Sequence, residues 1–199
     1  MIIIQLTGLS GAGKTTIANA VRDELMNNGF ATEVLDGDAY RRTICRDLGF
    51  SKQDRQESVR RLGAAAFSFK QQKRIAIIAA INPYEAVRAE LEEQYGAKTV
   101  WIQCPVDILI GRDTKGLYKK AMLPDGNPDK IHNLTGVNDV YEAPLRPGLI
   151  IDTSVLEVSA AAALLLRFIL AEVNGVLSLS RPAACTIQSN ETYKQEQPA

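Results

Sequence analysis

The sequence predicts an α/β protein whose mostly parallel sheet is covered by helices on both faces. Three observations support this prediction. Short apolar runs alternate with longer segments of helical periodicity, a glycine-rich turn joins the first run to the first helical segment, and the pattern contains neither an internal repeat nor a second core. Strands that alternate with helices form parallel sheets. The 199 residues also correspond to one ordinary domain.

Five apolar runs are predicted strands. They are Ile2–Thr7, Thr32–Leu35, Ile75–Ala80, Thr99–Gln103 and Leu149–Asp152. Near-continuous aliphatic runs of this length are typical of strands that are buried on both faces.

Helical periodicity fills the intervals between these strands. The apolar positions that recur at helical spacing are Ile17, Val21 and Leu25 after the first turn, and Val59, Leu62, Ala66 and Phe69 before the third strand. Ser51 with Asp54, and Ser154 with Glu157, resemble capping boxes. Asn82 is a predicted N-cap, because Pro83 follows it at a first helical position and Glu85 at the third.

Composition excludes several classes of protein. Lys and Arg together number 23, as do Asp and Glu, so a basic excess that would favour nucleic acid or a membrane surface is missing. Cys45, Cys104 and Cys185 are widely spaced and distant from His132, which argues against a zinc site. The first residues lack the features of a signal peptide, so a cytoplasmic location without membrane contact is expected.

The chain is predicted to fold as one domain over residues 1–175. Residues 113–147 are rich in Gly, Pro, Asp and Lys and are interpreted as a functional loop or lid. Residues 176–199 are rich in Ser, Gln, Glu and Pro, which predicts a disordered tail.

A phosphate-binding loop follows the first strand. Residues 8–15 match GxxxxGK[ST] between a strand and an amphipathic helix, so backbone N–H groups and the helix N-terminus would bind phosphate. Lys14 would contact the β- and γ-phosphates, and the Thr15 hydroxyl would bind Mg²⁺. The predicted loop contacts to ATP are Gly8, Leu9, Ser10, Gly11, Ala12, Gly13, Lys14, Thr15 and Thr16. A short chain without an NKxD guanine-recognition motif favours a compact kinase.

The second strand ends in an acidic pair, Asp36 and Asp38, at the sheet edge where ligands bind in open α/β proteins. One carboxylate could hold Mg²⁺ through water while the other accepts a proton from an attacking hydroxyl. The Asp-Gly-Asp sequence is equally compatible with a simple turn. The arginines that follow, including Arg41 and Arg55, suit an anionic phosphoryl acceptor or a solvated helix face.

The longer motifs make the sequence similar to the adenylyl-sulfate kinases. The segments that carry this resemblance are GLSGAGKTT, LDGDAYR, DLGFSKQDRQESVRR, INPYEAVR, DTKGLYKKA, NLTGVNDVYEAP and IIDT, over roughly residues 2–153. The resemblance implies a three-layer P-loop NTPase fold of the nucleoside-monophosphate-kinase type. It also implies transfer of phosphate from MgATP to the 3′-hydroxyl of adenosine 5′-phosphosulfate (APS), which belongs to sulfate assimilation.

The resemblance also implies roles for individual residues. Lys14, Asp36 and Asp38 correspond to catalytic positions, with Asp38 facing the hydroxyl and Thr15 and Asp36 near Mg²⁺. Arg112 would serve the donor nucleotide. The implied acceptor contacts are Arg41, Phe50, Arg55, Ser58, Asn82, Lys115, Lys119, Lys120 and Leu134, with Phe50 stacking on adenine and at least one lysine facing the phosphates.

Three of these positions depart from the usual family residue. Asn82 replaces a serine associated with a phosphoenzyme, Ser58 replaces an asparagine, and Leu134 replaces a phenylalanine. The lid segment is also longer than the common form. Two alternatives therefore remain open: a related kinase with another anionic acceptor, and a non-catalytic nucleotide-binding partner of a sulfate-activating enzyme. A second copy of the chain and a sulfate adenylyltransferase are the candidate protein partners.

Overall fold

A computed structural model describes residues 1–175 and contains five strands and seven helices in that range. The strands are β1 (Ile3–Thr7), β2 (Thr32–Asp36), β3 (Ile75–Ala79), β4 (Lys98–Gln103) and β5 (Leu149–Asp152). The helices are α1 (Lys14–Asn27), α2 (Gly37–Arg41), α3 (Lys52–Gln71), α4 (Glu85–Tyr95), α5 (Val106–Arg112), α6 (Leu117–Ala121) and α7 (Val158–Asn174). The tail predicted from residue 176 lies outside the described residues.

All five strands pair in parallel, in the order β2-β3-β1-β4-β5. Ile4 and Leu6 of the central strand pack in an apolar cluster with α1 and α7, whereas Ile3 packs on the other face with α3 and α4. Every residue of β1 is buried, and Gln5, a polar residue within the strand, donates hydrogen bonds to the carbonyl of Arg88 and the hydroxyl of Thr99. The predicted three-layer α/β architecture is therefore confirmed.

The predicted strands are confirmed to within one residue at each end. The predicted helical faces also hold, since Ile17, Val21 and Leu25 are buried on α1, and Val59 and Leu62 on α3. Burial of aliphatic side chains is favourable in helices and strands alike, so the spacing of these side chains indicates which face of an element packs on the core.

The capping predictions have mixed outcomes. Ser51 does cap α3, because its side chain accepts a hydrogen bond from the Asp54 N–H. The prediction for Asn82 is wrong, since α4 begins at Glu85. The first N–H group of α4 is instead bound by a carboxylate from a distant segment, with Glu142 Oε2 accepting from Glu85 N at 2.6 Å.

The capping box predicted at Ser154 is also wrong. The N-cap of α7 is Glu157, and its side chain makes no capping hydrogen bond. The Ser154 hydroxyl instead donates to Asp152 Oδ1 at 2.5 Å, which closes a local turn at the end of β5.

The segment over residues 113–147 contains α6 and one isolated bridge between Thr135 and Asp139. The rest of this segment is irregular backbone that returns the chain to β5 at the edge of the sheet. Among residues 1–175, no helix is long and apolar enough to cross a membrane.

Candidate active site

The phosphate loop begins where β1 ends beside β4. A β-carbon on Gly8 would lie 2.3 Å from the carbonyl oxygen of Ile102, so only glycine allows this close approach of the two strands. The buried Lys14 side chain folds back across the loop and donates hydrogen bonds to the carbonyls of Gly8 and Leu9, at 2.8 and 2.7 Å. These contacts hold the ammonium group at the start of α1.

Burial is the main influence on the Lys14 ammonium group. Burial, followed by the positive charge of Lys115, lowers the pKa of Lys14 to about 7. The carboxylates of Asp38 and Asp36 act in the opposite direction but do not compensate. An anion that entered the loop would favour the charged form, because no carboxylate of residues 1–175 forms an ion pair with this ammonium group.

Thr15 and Asp36 form a hydroxyl–carboxylate pair beside the loop. Thr15 Oγ1 donates to Asp36 Oδ2 at 2.6 Å, while Asp36 Oδ1 accepts from the Ala39 N–H at the start of α2. Octahedral Mg²⁺ with bonds of 2.0–2.1 Å places neighbouring ligand oxygens about 2.9 Å apart. The oxygen chemistry and spacing of this pair therefore fit Mg²⁺.

Asp38 lies across the same opening and pairs with the lid segment. Lys115 Nζ donates to Asp38 Oδ2 at 2.5 Å. Partial burial raises the pKa of Asp38, but the hydrogen bond from Lys115 and the charges of Lys115, Lys14 and Arg41 outweigh it and leave the pKa below its ordinary value. Asp38 is therefore an ionised hydrogen-bond acceptor near neutral pH.

One cavity of about 690 Å³ joins these groups to most of the predicted acceptor residues. The predicted site residues that line it are Ser10, Gly11, Gly13, Lys14, Thr15, Thr16, Asp36, Asp38, Arg41, Phe50, Arg55, Ser58, Asn82, Lys115 and Leu134. Of the other predicted loop contacts, Ala12 lines a second, smaller cavity, whereas Gly8 and Leu9 line neither of these two cavities. Lys119 and Lys120 are exposed on α6 and do not line this cavity, so only Lys115 of the three lysines faces it.

Two arginines surround the half-exposed ring of Phe50. The guanidinium carbons of Arg41 and Arg55 lie 4.5 and 5.4 Å from the ring centroid. Arg55 is fixed by donation to the carbonyls of Phe50 and Asn133, at 3.0 and 2.6 Å, and Arg41 donates to the carbonyl of Gly49. Burial, followed by the nearby charge of Arg55, lowers the pKa of Arg41. Two positive groups beside an aromatic ring suit an anionic ligand with a planar part.

A turn in the lid segment supplies another part of the cavity wall. Leu134 N–H donates to Asn138 Oδ1 at 2.6 Å, and Gly136 N–H donates to the carbonyl of Asp139 at 2.8 Å, so the turn is closed on itself. Gly136 has a φ of 86°, and a β-carbon there would lie 2.5 Å from Leu9 Cδ2. The turn therefore packs directly on the phosphate loop and fixes Leu134 in the cavity wall.

Arg112 lies apart from the main cavity. It lines a second cavity of about 190 Å³ behind the phosphate loop, together with residues 153–158 at the end of the sheet. Arg112 Nη2 donates to the carbonyl of Thr153 at 2.6 Å, which holds the guanidinium against this segment.

Sequence reasoning did not identify the buried hub at Arg88. Its guanidinium donates to the carbonyls of Asn82 and Glu142, each at 2.6 Å, and pairs with Glu85 at 2.7 Å. This hub joins the loop after β3 to the return of the lid segment. Sequence reasoning also did not identify Thr135, a buried residue of the cavity wall. Arg88 ends the INPYEAVR segment and Thr135 lies in the NLTGVNDVYEAP segment, but neither segment shows which of its side chains become buried at the site.

The parallel sheet, the phosphate loop and the adjoining anion pocket define a P-loop kinase that acts on a small molecule. The comparisons with known proteins narrow this class. The family model described as adenylylsulphate kinase matches residues 1–152, and the chain belongs to that family.

Individual relatives agree with this assignment. A probable adenylyl-sulfate kinase of Bacillus subtilis is 43% identical over 170 residues, which cover 84% of each chain. The adenylyl-sulfate kinase of Myxococcus xanthus is 44% identical over 163 residues, covering 79% of this chain and 85% of the relative. The solved structure of a Mycobacterium tuberculosis APS kinase in complex with AMPPNP and APS matches with a TM-score of 0.78 and 30% identity, covering 85% of this chain and 97% of that one.

Proposed function

We propose that the chain is an adenylyl-sulfate kinase that transfers the γ-phosphate of MgATP to the 3′-hydroxyl of APS, a step of sulfate assimilation. The observation that supports this proposal most strongly is the shared cavity. Lys14 of the phosphate loop, the carboxylate of Asp38 and the pair Arg41 and Arg55 line one space. A donor triphosphate and an anionic acceptor would meet there.

The donor would bind through the phosphate loop, with its base directed towards the smaller cavity beside Arg112. Phosphoryl transfer depends on positioning and on neutralising charge on the transferred group. The Lys14 ammonium group would exchange its contacts with the carbonyls of Gly8 and Leu9 for the phosphates. Mg²⁺, held by Thr15 and Asp36, would supply positive charge against the β- and γ-phosphates.

Asp38 would receive the proton of the attacking hydroxyl. Lys115 holds the pKa of Asp38 below its ordinary value, and once Lys115 has moved away Asp38 would orient the hydroxyl and accept its proton as the phosphoryl group is transferred. Lys115 forms an ion pair with this carboxylate. Binding of the two anionic substrates would draw Lys115 towards the phosphates and release Asp38 for the hydroxyl.

The acceptor would bind in the second half of the cavity. Arg41 and Arg55 would hold the phosphosulfate, and the exposed ring of Phe50 would stack on the adenine. Leu134 would supply an apolar contact opposite the ring, while Ser58 and Asn82 complete the wall. Residues 113–147 would act as the lid, and Lys119 and Lys120 would reach the phosphates only if this segment moved.

A coupled assay of ADP release tests the proposal. APS is compared with AMP, adenosine and simple sugars as acceptors, with Lys14→Met as the inactive control. Turnover that depends on APS supports the proposal. Turnover only with another acceptor supports the related-kinase alternative, and nucleotide binding without turnover supports the non-catalytic alternative.

The remaining expectations stay predictions. They are the single domain over residues 1–175, the cytoplasmic location, the homodimer and the association with a sulfate adenylyltransferase. Size-exclusion chromatography with light scattering measures the oligomeric state directly, and adding a sulfate adenylyltransferase to the same experiment tests the association.

A further inference from the structure

Two buried side-chain oxygens in the wall of the main cavity have no hydrogen-bond partner among residues 1–175. They are Asn82 Oδ1 and Thr135 Oγ1, and their residues are only 2% and 1% exposed. An unpaired polar group that is shielded from water destabilises the folded protein. Both residues line the cavity that carries the phosphate loop. Their unused hydrogen-bonding capacity therefore points to a ligand.

A directed chain of hydrogen bonds fixes which atom of Asn82 remains free. The Glu92 carboxylate can only accept, so the Thr99 hydroxyl donates to it and in turn accepts from Gln5 Nε2 at 2.9 Å. Gln5 Nε2 also donates to the carbonyl of Arg88 at 3.0 Å, which excludes the flipped amide. Gln5 Oε1 consequently accepts from Asn82 Nδ2 at 3.0 Å, and Oδ1 is left over.

The free atom of Asn82 is thus an acceptor of hydrogen bonds and never a donor. An acceptor oxygen repels phosphate and sulfate oxygens and attracts an N–H or O–H group. Arg41 and Arg55 line the same cavity and would hold the anionic part of a ligand. Thr135 can donate or accept, and its position is held by the bridge to Asp139, whose carboxylate lies 3.3 Å from Arg55.

We propose that Asn82 Oδ1 and Thr135 Oγ1 form a polar contact pair that binds an uncharged N–H or O–H group of the acceptor nucleoside. The proposal rests on the proposed function, because it assigns this pair to the nucleoside part of the same acceptor. Gln5 is the positioning residue, since it sets the orientation of the Asn82 amide. The pair would select acceptors by a neutral donor group in addition to their charge.

Thr135→Val gives the sharpest test, because valine keeps the shape and removes the unpaired hydroxyl. The melting temperature without ligand should stay equal to that of the wild type or rise, while the shift produced by APS shrinks and the KM for APS rises about 2- to 10-fold. Thr135→Ser keeps a hydroxyl group and should therefore show the wild-type APS shift and the wild-type KM for APS. Thr32→Val is the matched control: its buried hydroxyl donates to the carbonyl of Phe30 at 2.9 Å, so it should lower the melting temperature and leave the APS shift unchanged.

Two analogues distinguish the sources of the donor group. The inosine analogue of APS lacks the exocyclic amine, and the 2′-deoxy analogue lacks one ribose hydroxyl. One of them should bind the wild type less tightly than APS, and Asn82→Ala or Thr135→Val should reduce that difference. The proposal would be overturned if APS raised the melting temperature of Thr135→Val as much as that of the wild type. It would also be overturned if the analogues bound both variants as much less tightly than APS as they bind the wild type. The thermal shift needs no turnover, so APS binding without ADP release would refute the proposed function alone.

Discussion

Replacing Phe50 by alanine measures what one aromatic ring contributes to acceptor binding. The residue is 54% exposed, so its removal takes away little core packing. Base–aromatic stacking is worth about 1–3 kcal/mol, which corresponds to a rise of about 5- to 160-fold in the KM for APS. Arg41 and Arg55 lie 4.5 and 5.4 Å from the ring centroid and would also lose a contact, which favours the upper part of that range.

The assay is steady-state kinetics with APS varied at saturating ATP, and then with ATP varied at saturating APS. The KM for ATP should stay unchanged, because Phe50 does not line the cavity beside Arg112. Phe50→Leu, which keeps an apolar side chain without a ring, should resemble Phe50→Ala. Met26→Ala removes a similarly exposed apolar group on α1 and should change neither KM. An unchanged KM for APS in a folded Phe50→Ala enzyme would refute the adenine assignment.

Three further predictions concern groups in the same cavity. Lys14→Met should lower kcat about 100- to 1000-fold while circular dichroism stays unchanged, whereas Lys73→Met, in the exposed turn after α3, should retain full activity. Because the pKa of Lys14 is about 7 in the folded protein and 10.5 ordinarily, the unfolded chain binds more protons between these two pH values. The free energy of unfolding should therefore rise with pH across this range in the wild type, and rise less in Lys14→Met. Urea titrations of both proteins at several pH values measure this, and an equal pH dependence in the two would contradict the prediction. Leu134→Phe should lower the KM for APS by adding a second ring. Because Leu134 is only 6% exposed, the larger side chain should also cost about 1–3 kcal/mol of stability. A lower melting temperature with an unchanged KM for APS would contradict the adenine contact.

The sequence predicted the framework because framework residues carry local signals. Each strand contains at least two aliphatic residues, one or more of them buried, and the helical faces repeat at fixed spacing, so burial leaves a pattern that is visible in a short window. The phosphate loop is equally local, because eight consecutive residues supply its backbone and its lysine. Ser51 was a correct cap for the same reason, since its partner Asp54 lies three residues away.

The parts that could not be predicted depend on contacts between distant segments. Asn82 was assigned a local capping role, but Glu142 supplies the capping carboxylate from a part of the chain 57 residues beyond Glu85. The free acceptor on Asn82 depends on Gln5, 77 residues earlier in the chain. Thr135 lies in the NLTGVNDVYEAP segment, but the segment does not reveal that its buried hydroxyl lacks a partner within the described part of the chain.

The position of the transferred phosphate tests the central claim most directly. The enzyme is incubated with ATP and APS, and the purified product is examined by mass spectrometry and by ³¹P–¹H correlation spectroscopy. The account predicts one added phosphate on APS, with its phosphorus coupled to the proton on the 3′ carbon and one ADP formed for each product. ADP without phosphorylated APS, or a phosphate on any other atom of APS, would contradict it.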